Sequence, residues 1–211
     1  VRSPVPSEVR QEESPAPPSE KQAVFGGKLT LTLQSDQTLN TASGTKPFNN
    51  IFTEPEFEWY ANFGTHLSVN GLLKAEQVRT VDTNSLFAAE GAFFEQLYVT
   101  LSLDPARVYG GKIHPRFGLA WDATPGLYGT DFAEDYEVVE KNGIGLAVEI
   151  PWFGKHTLSG ELFVADTSFL SKSFLSRPRA SDSNVLRPSD LQPADGGVSN
   201  TGRLNNYAIA L

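Results

Sequence analysis

The chain contains no cysteine and no methionine among its 211 residues. Without cysteine, neither a disulfide framework nor a cysteine metal site can form, and an oxidising compartment presents no redox problem. Because methionine is missing and the first residue is Val1, we expect the sequence to come from a longer translation product that has lost its N-terminus. An excess of positive charge is also lacking. The net charge of −8 argues against nucleic acid as a partner.

Long apolar runs are absent as well. A membrane-spanning helix needs roughly 20 consecutive apolar residues, whereas the longest uninterrupted apolar stretches here are only a few residues and mean hydropathy is −0.27. Insertion into a membrane as a helix is therefore excluded. A strand that crosses a membrane needs only about 10 residues, every second one apolar, so the composition is compatible with a transmembrane β-barrel.

Residues 1–22 differ from the rest of the chain. They hold five prolines, several serines and glutamates, and no aromatic residue. Such a segment cannot bury enough apolar area to offset the entropy lost on ordering. We predict a disordered linker over 1–22, followed by a β domain over 23–211. The linker is interpreted as a plain tether, with a contact to the periplasmic cell wall or a lost N-terminal module as alternatives.

From Lys28 onward, apolar and polar residues alternate with period two, which is the pattern of a strand with two different faces. In the first segment Leu29, Leu31 and Leu33 share one face. The same alternation recurs in seven further segments. These predicted strands cover residues 54–63, 67–78, 95–103, 107–114, 143–150, 157–164 and 204–211.

The connections between the predicted strands alternate strictly between short and long. The short ones are 64–66, 104–106 and 151–154, and the long ones are 35–53, 79–94, 115–141 and 166–203. A transmembrane barrel has short periplasmic turns and long extracellular loops, whereas a Greek-key sandwich has no such order. The sequence therefore predicts an all-β fold, an antiparallel transmembrane β-barrel. A soluble up-and-down barrel has the same alternation.

Aromatic residues collect near the ends of the predicted strands, as they do in the girdles of membrane barrels. They are Phe57, Trp59, Phe63, Phe93, Phe94, Tyr109, Trp152 and Phe153. The alternative is that they form the core of a soluble secreted β-sandwich, an adhesin-type module that binds carbohydrate.

Five motifs carry a resemblance to a known family. They are FEQLYV at 94–99, GKIHPRFG at 111–118, TPGLYGTDFAEDYE at 124–137, PWFGKHTL at 151–158 and SNTGRLN at 199–205. Over about residues 50–211 the chain resembles proteobacterial outer-membrane porins related to the phosphate- and carbohydrate-type porins. The resemblance implies a homotrimer of barrels with about sixteen strands each, of which this chain is the N-terminal half.

The same resemblance implies a function and a location. The protein would form a water-filled channel for passive diffusion of small hydrophilic solutes or ions in the outer membrane of a Gram-negative cell. Outer-membrane lipid and lipopolysaccharide would be its surroundings. A non-conducting structural barrel is the alternative within the same fold.

If the leucine-rich faces meet lipid, the opposite faces line the lumen. This hypothesis places nine polar side chains toward water: Glu54, Glu56, Glu58, Lys74, Glu76, Lys112, His114, Glu149 and Glu161. Acid exceeds base in this set, so we predict a weak preference for cations over phosphate-like anions. A solvated, non-selective lining is the alternative for each charge taken singly.

The segment 115–141 is the candidate constriction loop, because general porins narrow their pores with the third extracellular loop. Its charged residues are Arg116, Asp122, Asp131, Glu134 and Asp135. The alternative is an outward-facing loop packed by its own aromatic residues. The acidic run 131–137 lacks the glycine-punctuated spacing of calcium loops, so no metal site is predicted.

The longest predicted loop, 166–203, carries Arg177, Arg179 and Arg187 among serine, proline and aspartate. It is interpreted as a variable surface loop, either solvated or in contact with lipopolysaccharide phosphates.

No catalytic pattern is present in the sequence. The three histidines lie far apart without an H-x-x-x-H spacing, and neither a nucleophile elbow nor a P-loop occurs. We therefore predict that the protein is not an enzyme and uses no cofactor. A barrel phospholipase or protease, assembled from residues distant in sequence, is the enzymatic alternative.

Overall fold

The computed structural model describes residues 24–39, 46–78, 81, 83–117, 138–174, 193–195 and 199–211. In these ranges the protein is all-β, with eleven strands and two short 3₁₀ helices, Phe169–Ser171 and Pro193–Asp195. No helix within them is long and apolar enough to cross a membrane. The predicted linker 1–22 lies outside the described residues.

The strands form one large and one small sheet. Their bounds are β1 Val24–Thr30, β2 Leu33–Thr38, β3 Phe48–Thr53, β4 Glu56–Phe63, β5 Leu67–Gln77, β6 Ser85–Leu86, β7 Glu90–Leu103, β8 Ala106–Ile113, β9 Lys141–Pro151, β10 Lys155–Ala165 and β11 Asn206–Ala210. The large sheet has the order β1-β4-β5-β7-β8-β9-β10-β11 and is antiparallel throughout. The small sheet has the order β2-β3-β6, in which β3 and β6 run parallel.

Seven strands of the large sheet correspond to predicted strands, and the three predicted tight turns join β4 to β5, β7 to β8 and β9 to β10. The first predicted strand was wrong in its bounds, since β1 ends at Thr30 and Leu33 begins β2 of the small sheet. The prediction was wrong about where β7 begins, since it starts at Glu90 and not at residue 95. A register shift between Leu72 and Leu73 of β5 leaves Glu95 without a paired residue on that strand. One extra residue breaks the period-two pattern, so the strand beyond it was not recognised.

The segment 35–53 was predicted as a loop, but most of the small sheet lies there. Asn50 is buried, and its amide exchanges two hydrogen bonds with the amide of Gln77 on β5, at 2.7 and 3.2 Å. The small sheet is thus attached to the large one by polar contacts distant in sequence. Beyond Leu33 the strand β2 is polar, so its remaining residues show no apolar alternation.

The register aligns the residues of the large sheet into rows that cross all eight strands. One row consists of Phe25, Ala61, Val69, Val99, Gly110, Ile144, Leu162 and Tyr207. The adjacent row consists of Val24, Asn62, Ser68, Thr100, Tyr109, Gly145, Glu161 and Ala208. Paired residues share a face and successive residues alternate. The first row therefore defines the apolar face of the sheet, and the second defines its polar face.

Burial is inverted between these two faces. On the apolar face Val99, Ile144 and Leu162 are 46%, 50% and 47% exposed. On the polar face Ser159 and Glu161 are 1% and 3% exposed. A soluble antiparallel sheet normally packs its apolar face on a core and leaves its polar face in water. This sheet does the opposite, and the largest fully apolar buried cluster of its described residues is only Val138, Phe163 and Ala208.

The large sheet is open. Among the described residues β1 pairs only with β4 and β11 pairs only with β10, so these strands form two edges and no closed barrel. The antiparallel all-β fold is confirmed.

Gly111 combines a positive φ with close backbone neighbours, so a side chain is unfavourable there for two reasons. Its φ is +137°, and an added Cβ would collide with the Leu97 carbonyl oxygen and lie 2.8 Å from Tyr98 Cα. We expect Gly111→Ala to lower the free energy of unfolding by about 2–4 kcal/mol, because the strained backbone and the collision both contribute. The measurement is a urea titration followed by circular dichroism. Gly160→Ala is the control, since no atom lies within 4 Å of its added Cβ; equal losses would contradict this account.

Candidate functional site

Charged side chains concentrate at one end of the large sheet, opposite the three tight turns. Lys74 lies near the end of β5 and Lys112 near the end of β8, while Glu95 lies in the first half of β7. Glu140 immediately precedes β9, and Asp166 immediately follows β10. Because neighbouring strands are antiparallel, all five positions lie at the same end of the sheet. They form two clusters, centred on the two lysines.

The Lys74 cluster consists of Lys74, Glu54, Glu56, Glu76 and Glu95. Lys74 Nζ lies 3.2 Å from Glu76 Oε2 and 3.9 Å from Glu95 Oε2. Glu56 is paired with Lys74 in the sheet register. Burial raises the pKa of Glu54, although the Lys74 ammonium opposes the change. Since one ammonium faces four carboxyl groups that remain partly open to water, the cluster has an excess of negative charge.

The Lys112 cluster consists of Lys112, Glu140 and Asp166, of which Glu140 alone is partly exposed. The Lys112 side chain is fully buried, and its Nζ lies 2.8 Å from Glu140 Oε2 and 3.2 Å from Asp166 Oδ2. Asp166 Oδ1 accepts hydrogen bonds from Asn142 Nδ2 at 2.6 Å and from the Ser168 amide at 2.9 Å. Burial opposes ionisation of Asp166, but the hydrogen bonds from Ser168 and the Lys112 ammonium outweigh it and hold the pKa below its usual value. The cluster therefore keeps its charges paired.

His114 lies between the two clusters, with Nε2 3.6 Å from Glu95 Oε1. Burial lowers the pKa of His114 to about 4. The Glu140 carboxylate opposes this shift, and the Lys112 ammonium adds to it. The imidazole is thus neutral at pH 7, so its contact with Glu95 is not an ion pair at that pH.

A third polar group lies on the polar face, away from this end of the sheet. An added Cβ on Gly145 would collide with the Tyr109 ring, so the absence of a side chain there lets the ring lie across β9. The Tyr109 hydroxyl donates a hydrogen bond to Glu161 Oε1 on β10. The Tyr98 ring meets the Tyr109 ring edge-on, with centroids 6.4 Å apart. Glu161 is therefore covered by an aromatic side chain from two strands away.

The structure brings together most of the residues predicted to line a lumen. Glu54, Glu56, Lys74 and Glu76 belong to the Lys74 cluster, as described above. Glu58 pairs with Lys28 on β1, beside that cluster. Glu149 lies apart from all of these, exposed near the turn between β9 and β10.

The expectation that all nine side chains face water was wrong at Lys112 and Glu161, which are buried. Residues from outside their own strands cover them, namely the segment after β10 for Lys112 and Tyr109 for Glu161. Of the predicted constriction residues, Arg116 is exposed just beyond β8. The other four, Asp122, Asp131, Glu134 and Asp135, lie outside the described residues.

Sequence reasoning missed Glu95, Glu140 and Asp166. The register shift beside Glu95 concealed its place in β7. A signal did exist for the other two, because the last pair of the β9–β10 hairpin is Lys141 with Ala165. Glu140 and Asp166 are the next residues outward on each strand, so the hairpin register alone brings them together.

No group of three or more His, Asp or Glu side chains in the described ranges is arranged to hold a metal ion. Comparison of the chain with models of known families, with curated proteins and with solved structures finds no match. The two faces of the sheet and the charged clusters are therefore the features from which we infer a function.

Acidification is expected to destabilise the protein through His114. The pKa of the imidazole falls from 6.5 to about 4 on folding, so the unfolded chain takes up the proton first. The associated stability is present above pH 6.5 and is lost as the pH falls toward 4. His114→Gln should therefore lose less stability between pH 7.5 and pH 4.5 than the wild type, measured by urea unfolding. His156→Gln, at an exposed site, should behave as the wild type. Identical losses in all three proteins would contradict this role of His114.

Proposed function

We propose that this chain is part of an outer-membrane porin, a transmembrane β-barrel that forms a water-filled channel for small hydrophilic solutes or ions. One observation carries the proposal: seven of the eight strands, all except β8, have exposed large apolar side chains on one face of the sheet, whereas the other face has charged side chains such as Glu56, Lys74 and Glu76. In a membrane barrel the outward residues meet hydrocarbon and the inward residues meet water. Passive diffusion through the lumen requires no catalytic group and no cofactor.

The exposed apolar face requires an apolar environment that covers it. Contiguous apolar surface of this kind is rare on soluble monomers. In a soluble sandwich a second sheet would cover it, yet exposed leucines, isoleucines and valines remain on β7, β9 and β10 despite the small sheet. Lipid supplies the missing contact along all of these strands, so the observation favours a membrane barrel over the sandwich.

Strand length and turn length are consistent with this proposal. Strands β5, β9 and β10 have 11 residues each and β7 has 14, and a tilted transmembrane strand needs about 9–11. The three tight turns lie at one end of the sheet, which would be periplasmic. The two lysine clusters lie at the other end, where long extracellular loops would meet lipopolysaccharide.

The two open edges fit a barrel that other strands complete. Membrane barrels tolerate no free edge in hydrocarbon, because each unpaired backbone group costs several kcal/mol. We propose that β1 and β11 pair with further strands of the same protein, giving a barrel of about sixteen strands. Homotrimer formation belongs to the same proposal.

The Lys74 cluster gives the proposed lumen a negative charge. Its carboxyl groups outnumber its one ammonium, and they are partly open to water on the polar side of β4, β5 and β7. Acidic groups along a water-filled pore raise the local concentration of cations. We therefore propose a weak preference for cations over anions.

A pair of adjacent substitutions tests the contact with lipid. Val99 is on the apolar face and Thr100 is on the polar face. We expect Val99→Lys to impair folding into lipid vesicles, since lysine at the bilayer midplane costs about 2–4 kcal/mol. Thr100→Lys should insert nearly as well as the wild type. The measurement is the fraction of heat-modifiable, folded protein on a gel. Equal insertion of both variants would argue that the apolar face does not meet lipid.

Conduction itself is tested with the full-length protein in a planar bilayer. We expect discrete ohmic steps and a reversal potential displaced toward cation preference in a salt gradient. Lys74→Gln should increase that preference, and Glu76→Gln should decrease it, because the two substitutions change the cluster charge in opposite directions. Folded protein without steps would refute the channel. A clear anion preference, or shifts of the same sign in both variants, would refute the role of the cluster.

A further inference from the structure

Residues 166–174 cross from the end of β10 to β7, past the ends of β9 and β8. The segment starts at Asp166, and the carbonyl oxygen of Leu170 accepts a hydrogen bond from Lys112 Nζ at 3.2 Å. It ends at Phe174, whose backbone pairs with Ala92 through two hydrogen bonds of 2.7 and 3.1 Å. The Phe174 ring lies 5.7 Å from the Phe94 ring, centroid to centroid. This nine-residue segment is termed the strap.

The strap occupies a position that β8 leaves free. Strand β8 pairs with β7 only from Leu103 back to Leu97, whereas β7 continues to Glu90. Between Glu90 and Gln96, β7 pairs with β5 on one side. On its other side the amide and carbonyl groups of Ala92 bond to Phe174. The strap thus adds a short stretch of ladder to β7 from a connection that begins three strands away.

Burial of apolar side chains does little to hold the strap in place. Phe169 is 80% exposed, and Phe174 is also exposed. The buried residues of the strap are polar, namely Asp166 and Ser171. The Ser171 hydroxyl donates a hydrogen bond to the Asp166 carbonyl oxygen at 2.8 Å. Attachment therefore depends mainly on polar contacts. Asp166 contacts Lys112 and Asn142, Leu170 contacts Lys112, and Phe174 forms the bridge to β7 beside its ring contact with Phe94.

We propose that the strap is a releasable element, closed across the strand ends by Lys112 as an ionic latch and able to open as a unit while the sheet stays folded. The large sheet does not need the strap for its own ladder, because β9 and β10 form eleven consecutive pairs without it. The closed strap does need Lys112, because its ammonium is the counter-charge that lies 3.2 Å from the buried Asp166 carboxylate. This inference does not depend on the proposed channel function.

Opening would change the charged end of the sheet. It would bring Lys112, Glu140 and Asp166 into water and would free the Ala92 side of β7 for another backbone. The exposure of three charged side chains and of one strand edge would thus depend on one contact, that of Lys112 with the strap. Such an element would let this end of the protein switch between a closed and an open arrangement.

The first test is native-state hydrogen exchange of the wild-type protein. The amides of Ala92, Ser171, Lys172 and Phe174 all bond within the strap or to it. We expect them to share one opening equilibrium and to exchange at least about tenfold faster than the β9–β10 amides, as a local unfolding unit does. Exchange of these amides only together with the β9–β10 ladder would overturn the proposal without any variant.

The second test removes the latch. Lys112→Met should speed exchange of the four strap amides about a hundredfold, the size of effect that loss of one partner of a buried ion pair produces. The β9–β10 amides should keep wild-type protection. Lys172→Met makes the same chemical change at an exposed position of the strap and should leave exchange unaltered. Unchanged strap exchange in folded Lys112→Met protein would overturn the latch.

A cross-link separates loss of the latch from general misfolding. Ala92 and Phe174 form a hydrogen-bonded antiparallel pair, whose Cα atoms are about 5.5 Å apart, within reach of a disulfide. The 211 residues contain no cysteine to compete. Oxidised Ala92→Cys/Phe174→Cys should restore slow strap exchange to Lys112→Met, and reduction should abolish the rescue. Fast exchange that persists in the oxidised protein would show that Lys112 acts on the whole sheet, and would overturn the proposal.

Discussion

The antiparallel ladder of the large sheet is the constraint on which the rest of the structure depends. Paired residues must share a face, so a slip of one residue in any strand would move its leucines and valines into the polar rows. The register avoids this over eight strands, from Phe25 on β1 to Tyr207 on β11. Tight turns fix three of the pairings, and Gly111 permits a backbone conformation at β8 that a side chain would obstruct. The inverted faces are a consequence of this register.

Burying charged groups is costly unless each has a partner. The structure meets that condition in two ways. Lys112 is surrounded by two carboxylates and a carbonyl oxygen, all contributed by residues that follow or precede strands. Glu161 accepts a hydrogen bond from Tyr109, whose ring has room to cross β9 because residue 145 is glycine. The proposed strap depends on the first of these pairings, the contacts of Lys112 with the segment after β10.

Much of the sheet was predictable from local pattern. The alternation of Leu67, Val69 and Leu73 with polar neighbours predicted β5, and the short connections predicted the three hairpins. The first half of β7 was not predictable in this way, because the register shift beside Glu95 interrupts the period of two. The small sheet was also missed. Its strand β2 is polar beyond Leu33, and the reciprocal Asn50–Gln77 contact joins residues 27 positions apart.

The sequence by itself determined which residues share a face of each strand and where the chain turns back. Both properties arise from neighbouring residues, through side-chain alternation and turn length. Only the tertiary structure decided which polar residues meet. Lys112 with Asp166, Tyr109 with Glu161 and Ala92 with Phe174 are separated by 52 to 82 positions in the chain. These contacts depend on register accumulated over several strands and on the path of the segment after β10, and no local pattern encodes either one.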